Sequence, residues 1–399
     1  MKMKQIKHLV MAFAAVCLTA GLSSCEKEKE VIKEVPVEKI VEKEVEKIVE
    51  KTDTVTIIDE SNWAKYQSIV TADVLSQKKH DKVILLVAFG STWQQAFDAF
   101  DTTIDAYKKA FSGYDVFLSY SSAICINRAA AGENAADGAE IRNYYAPPFW
   151  LNAFAAEGVK YDEIVVQSLQ VIPGEEYTRV INYIKDFANN ANGDLDDDYL
   201  AGVTLKLGVP LLQDAESDVM LVAKELNALY STYAGQGVVA FMGHGNPDSY
   251  DTYKANIRYS ELEAALQTFS PNYFVGTVDM MGNFKTQVYE RMQNAGIKSG
   301  KVFLHPLMSI NGDHGHNDMG GDDDDNWEEG VGFTPNEEGE VEDTSWKKYF
   351  EHLGYECNDN TVLPYGLLEL PTVRQVWINH TQNAIDGEPL DYYHSKNPE

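Results

Sequence analysis

The sequence predicts an α/β fold of two lobes, each built on a parallel sheet, and three observations carry that prediction. Apolar runs of strand length recur from Lys82 onward, amphipathic helical stretches separate most of them, and several runs end in glycine-containing turns. A strand covered on both faces has no solvent side, so it reads as an unbroken apolar run. Strands alternating with helices imply βαβ units.

Ahead of that fold the chain opens with Met1-Lys2-Met3-Lys4-Gln5-Ile6-Lys7, small and apolar residues from Leu9 to Leu22, and then Ser23-Ser24-Cys25. A basic start with an apolar stretch too short to span a bilayer marks a secretory signal. Leu22-Ser23-Ser24-Cys25 looks like the site at which bacterial lipoproteins are cut and acylated. Residues 1–24 are therefore expected to be removed, leaving Cys25 as the lipidated N-terminus. The expected location is membrane-anchored and exported, periplasmic or at the cell surface, with the outer membrane favoured. Residues 25–60 read as a charged stalk, almost wholly Glu, Lys, Val and Ile as far as Lys51. Val41, Val45 and Ile48 have helical spacing, which leaves a short coiled coil and a homo-oligomer open, although a solvated spacer suits the composition better.

The net charge of -29 argues against nucleic acid or an anionic membrane surface as partner, because both require clustered basic residues. Of the four cysteines, Cys17 leaves with the signal and Cys25 carries lipid, so Cys125 and Cys357 are the two available for a disulfide.

The first strand is expected over Val83 to Phe89, ending in Gly90-Ser91-Thr92, with a helix from about Gln95 to Phe111. Similar runs cover Val116 to Tyr120, Glu163 to Ile172, Val203 to Val209, Val238 to Met242, Tyr273 to Val278 and Val302 to Met308. Glu175 to Ala188 and Asp218 to Tyr233 are amphipathic helices between them. A polar insertion, Asn189 to Asp198, separates the third and fourth runs, and the lobe boundary is placed just after it: an N-terminal lobe over 61–203 and a C-terminal lobe over 204–399. A second acidic loop, Gly320 to Glu342, lacks EF-hand spacing and reads as solvated.

In open parallel sheets the chemistry lies beyond the carboxyl ends of the strands. Three of those ends are unusual: Gln170-Val171-Ile172-Pro173-Gly174-Glu175-Glu176-Tyr177, Phe241-Met242-Gly243-His244-Gly245-Asn246, and Pro306-Leu307-Met308 leading into Gly312-Asp313-His314-Gly315-His316-Asn317-Asp318-Met319. Together with Leu85-Leu86-Val87-Ala88-Phe89-Gly90-Ser91 and Val275-Gly276-Thr277-Val278-Asp279, and in that order along residues 80 to 375, these motifs resemble the sirohydrochlorin cobaltochelatases of the anaerobic, single-subunit type.

The resemblance implies a class II chelatase: two Rossmann-like lobes related by a pseudo-twofold, with a tetrapyrrole in the cleft and a divalent ion as substrate, cobalt favoured over nickel or iron. It also implies independence from ATP, in keeping with the lack of a Gly-x-x-x-x-Gly-Lys-Ser/Thr loop, and no NAD. It places metal ligands at His244 and Glu216, catalysis at His244 and Gln170, and macrocycle contacts at Gly90, Ser91, Gln170 and Asp279. His314 is a further candidate ligand from the loop that follows the last strand. Gln170 stands where the family carries histidine, and a glutamine is a poor proton acceptor and a poor ligand for cobalt.

Insertion of a metal displaces two pyrrole protons, so a neutral imidazole that binds the ion or takes a proton is needed, with a carboxylate to balance charge. Each candidate has a plainer role beside it. Glu216 sits where acidic residues favour a helix start, His314 where a sharp loop needs a hydrogen bond, and His316 is either an additional ligand or a bystander; His305, within a strand, reads as structural. The sequence thus supports insertion of a divalent ion into a sirohydrochlorin-like macrocycle. The alternative is a binding lipoprotein that passes a tetrapyrrole or metal to an uptake transporter, favoured by export and by Gln170. A hydrolase ranks last, since no Gly-x-Ser-x-Gly is present.

Overall fold

The computed structural model describes residues 63–247, 250–278, 284–335 and 344–392. The signal, the stalk, Cys25 and Asp279 lie outside the described residues. Seven parallel strands appear where the seven apolar runs stand: β1 Lys82–Ala88, β2 Asp115–Tyr120, β3 Glu163–Ser168, β4 Thr204–Gly208, β5 Val238–Gly243, β6 Tyr273–Thr277 and β7 Val302–Leu307. The helices are α1 Trp63–Gln77, α2 Gln94–Ala110, α3 Ala123–Ala131, α4 Pro147–Ala155, α5 Glu175–Ala188, α6 Asp197–Gly202, α7 Asp218–Ala234, α8 Ile257–Gln267, α9 Glu290–Asn294, α10 Trp346–His352 and α11 Pro371–Asp386.

The strands form two parallel sheets, β2-β1-β3-β4 and β6-β5-β7. Period-2 geometry explains why their strands are apolar throughout. Val83, Leu85 and Val87 of β1 join an outer core with Phe154 and Tyr161, whereas Ile84, Leu86 and Ala88 join a second core that also holds Val239 and Phe241 of β5. On β5 the other face, Val238, Ala240 and Met242, packs with Phe284, Trp346 and Phe350. Each such aliphatic side chain stabilises the fold by roughly 1.5–3 kcal/mol when fully buried.

Two expectations about boundaries need correction. The run Glu163 to Ile172 leaves the sheet after Ser168; Leu169, Val171 and Ile172 stay apolar because they pack in the core shared by both sheets. A division between 203 and 204 would cut β4 from its own sheet, since Thr204 to Gly208 pair with Glu163 to Gln167 of β3. The C-terminal helix α11 also returns to that first sheet. Thr381 donates to the buried Gln167 Oε1 at 2.7 Å, and the buried Lys206 of β4 donates Nζ to the carbonyls of Ile385 and Gly387, capping the last turn of α11.

Among the described residues a small antiparallel pair, Trp327–Glu328 with Gly332–Phe333, was not foreseen in the acidic loop. Lys347 pairs with Asp322 and Asp359, which anchors one end of that loop. Cys125 and Cys357 are both free thiols.

Candidate functional site at the paired strand ends

Strand order locates the site. In the first sheet the chain steps from β1 outward to β2 and then to the other side of β1 for β3; in the second it does the same around β5, with β6 on one side and β7 on the other. The order reverses beyond the ends of β1 and β3 and of β5 and β7, the place where open parallel sheets hold their ligands. Phe89-Gly90-Ser91, Gln170, His244 and the Gly312 to Asp318 loop follow those four strands.

These four segments touch. Phe89, 42% exposed, lies with its ring centroid 6.5 Å from that of His244. A Cβ on Gly174 would come within 2.7 Å of Asn246 Nδ2, and one on Gly312 within 3.4 Å of Ser91 Oγ, so both glycines permit close approach of neighbouring motifs. Gly90, at φ +126°, lies against Tyr120 and Cys125, where a side chain would collide.

The imidazoles of His244 and His314 meet edge to face, with ring centroids 4.8 Å apart. His244 Nδ1 lies 2.8 Å from the Gly245 carbonyl oxygen, and His314 Nδ1 lies 2.5 Å from Asp318 Oδ2. An oxygen of either kind only accepts, so in both rings the N–H belongs to Nδ1 and, in the neutral form, the lone pair to Nε2. Two neutral imidazole nitrogens suit cobalt, nickel, zinc or iron. Among the described residues no group of three or more His, Cys, Asp or Glu is arranged to hold an ion.

The family model described as cobalt chelatase (CbiK) matches residues 82–336, which include β1 to β7 and both histidines. The chain belongs to the cobalt chelatase family. It is 28% identical over 329 residues to the sirohydrochlorin cobaltochelatase CbiKC of Nitratidesulfovibrio vulgaris, covering 82% of this chain and 97% of that one. To the sirohydrochlorin cobaltochelatase of Salmonella typhimurium it is 27% identical over 309 residues, covering 76% and 97%. Among solved structures, SirB from Bacillus subtilis with Fe3+ aligns with a TM-score of 0.44 and 17% identity, covering 76% of this chain and 95% of that one.

In this cobalt chelatase the other candidates fall at different depths. Gln170 is 8% exposed; its Oε1 accepts from Ser168 and its backbone carbonyl accepts from Trp377 Nε1 at 3.3 Å, while its buried Nε2 has no hydrogen-bond partner among the described residues. Glu216 is exposed in the turn before α7, where Asp214 Oδ1 accepts the amides of Glu216 and Ser217 at 3.0 and 2.7 Å. That local network accounts for an acidic turn at a helix start. Ser91 is buried beside Gly312, and Gly90 forms the turn.

His316 is not an exposed bystander. It lies flat on Trp93, with centroids 3.8 Å apart and planes 11° apart, and its Nε2 accepts from Asn311 Nδ2 at 3.2 Å. Burial pushes its ring below the usual imidazole range, against the opposing charge of Asp313. Asn311 also donates to Gln95 Oε1, and Gln95 Nε2 donates to Glu369 at 3.0 Å, so the loop after β7 is fastened to α2 and to the 364–369 segment. His305 is structural: fully buried, hydrogen-bonded to the Tyr230 hydroxyl at 2.6 Å and pushed down to about 3 by burial.

Trp93, Asn246 and Asp318 were missed in the sequence. Only the last left a legible signal, the four-residue spacing from His314.

Proposed function

We propose that this protein inserts a divalent ion, cobalt(II) by preference, into sirohydrochlorin or a macrocycle of the same class, with His244 and His314 receiving the ion. The observation that carries this reading is the edge-to-face meeting of those two imidazoles at the switch point of the second sheet. In the reaction two pyrrole N–H bonds break and metal–nitrogen bonds form. Two protons leave, and an imidazole that has handed over the ion, or water, takes them up. Nothing in that balance requires nucleotide hydrolysis or hydride transfer, so neither ATP nor NAD is part of the proposal. Phe89 offers an exposed apolar surface next to His244 for one face of the ring.

The site is proposed to work outside the cytoplasm, on a lipid anchor at Cys25. The support for this is the basic start, the short apolar stretch and Leu22-Ser23-Ser24-Cys25.

One observation favours a second reading, in which the protein carries the tetrapyrrole or the metal to an uptake transporter without catalysing insertion. Gln170 is engaged with Ser168 and brings no basic group to the cleft. Mixing purified protein, cobalt(II) and sirohydrochlorin separates the two. A chelatase converts the metal-free spectrum faster than the spontaneous reaction, with the rate proportional to protein. A carrier shifts the band once, in proportion to its own concentration, and the rate stays at the spontaneous value.

A further inference from the structure

His314 begins the single wide turn that continues over Gly315–Met319, and Asp318 in that turn stands behind its ring, Oδ2 to Nδ1, at 2.5 Å. A carboxylate in that position holds an imidazole in one tautomer and one orientation and raises the basicity of the far nitrogen. The rest of the loop is held by other groups. Asp313 Oδ1 accepts from Trp93 Nε1 at 3.3 Å and from Asn317 Nδ2 at 3.0 Å, His316 is stacked on Trp93, and Asn311 donates to His316. Removing Asp318 would therefore release the aim of one ring and leave the backbone that carries it in place.

We infer that Asp318 is a positioning residue for metal capture: it supplies no ligand atom and fixes His314 so that its Nε2 lone pair and that of His244 address the same ion. The inference rests on the reading that these two histidines receive the substrate metal. It adds a residue pair at the end of one strand, while Gln170 stands at the end of another.

The test titrates cobalt(II) alone into the parent protein and into Asp318→Ala, Asp318→Asn, Asp318→Glu, His314→Ala and His244→Ala. The expected result is cobalt affinity roughly 10- to 100-fold weaker in Asp318→Ala, a smaller loss in Asp318→Asn, and recovery toward the parent in Asp318→Glu. In insertion assays KM for cobalt should rise in Asp318→Ala while KM for sirohydrochlorin and the melting temperature hold. Cobalt affinity in Asp318→Ala within twofold of the parent, alongside a clear loss in His314→Ala, overturns the inference and spares the reading beneath it. So does an equal loss of cobalt and sirohydrochlorin binding with a lowered melting temperature, which would make Asp318 merely structural. If His314→Ala and His244→Ala bind cobalt as the parent does, both fall together.

Discussion

The ring of His244 meets that of His314 edge to face at 4.8 Å between centroids, although the two residues follow different strands and lie seventy positions apart in the chain. Each has its Nδ1 tied to an oxygen, Gly245 O for one and Asp318 for the other. That arrangement brings two separate strand ends together, and on the proposed function they receive the cation jointly.

Gln170 is the position at which an added imidazole has most to give. Its side chain is buried, bonded to Ser168 through Oε1, with Nε2 lacking a partner. Gln170→His should keep a hydrogen bond to Ser168, relieve the orphaned amide and bring a third basic nitrogen toward the cleft. The expected outcome is a raised kcat for cobalt insertion, several-fold or more, with KM for sirohydrochlorin little changed. Steady-state kinetics on the two proteins would show it, and an unchanged or lowered kcat would mean that position 170 no longer faces the reaction.

The stack of His316 on Trp93 is predicted to be a brace for the loop. His316→Ala should lower stability by about 0.5–1.5 kcal/mol, the range for a stacked ring pair, and change Trp93 fluorescence. Cobalt affinity should fall less than in His314→Ala. Urea titration and metal titration of the same variant check both halves.

His305 makes a pH prediction with a definite sign. Burial holds its folded value at about 3 against an ordinary 6.5, so between those values the unfolded chain binds a proton that the folded chain refuses. Its contribution is fully present above pH 6.5 and is lost as pH falls toward 3, on the order of a few kcal/mol in all. His305→Gln should flatten the acid limb of the stability curve relative to the parent, measured by urea unfolding at a series of pH values. A parallel pair of curves would contradict the assignment.

Much of the fold was readable in the chain because both sheets are covered on both faces. Runs such as Val83 to Ala88 cannot alternate when Val83, Leu85 and Val87 enter one core and Ile84, Leu86 and Ala88 another. What stayed hidden is long-range. Nothing local to Lys206 announces that it caps a helix ending near residue 386, and nothing local to Thr204 says that its strand completes the first sheet. The site was legible to the same degree. His244 between two glycines at a strand end stood out, as did the Asp313-His314 motif, but their meeting depends on β7 lying beside β5. The stack of His316 was not legible because its partner, Trp93, belongs to the turn after β1. Glu216 had two readings, a ligand by its order along the chain and a helix start, and the bonds around it are those of a helix start.

On the proposed function His244 and His314 bind one ion together, and a double-mutant cycle on cobalt(II) affinity tests that most directly. If they share the ion, His244→Ala and His314→Ala each weaken binding strongly, and the double variant loses much less than the product of the two single effects. Losses that multiply independently, or single variants that bind cobalt as tightly as the parent, would contradict it.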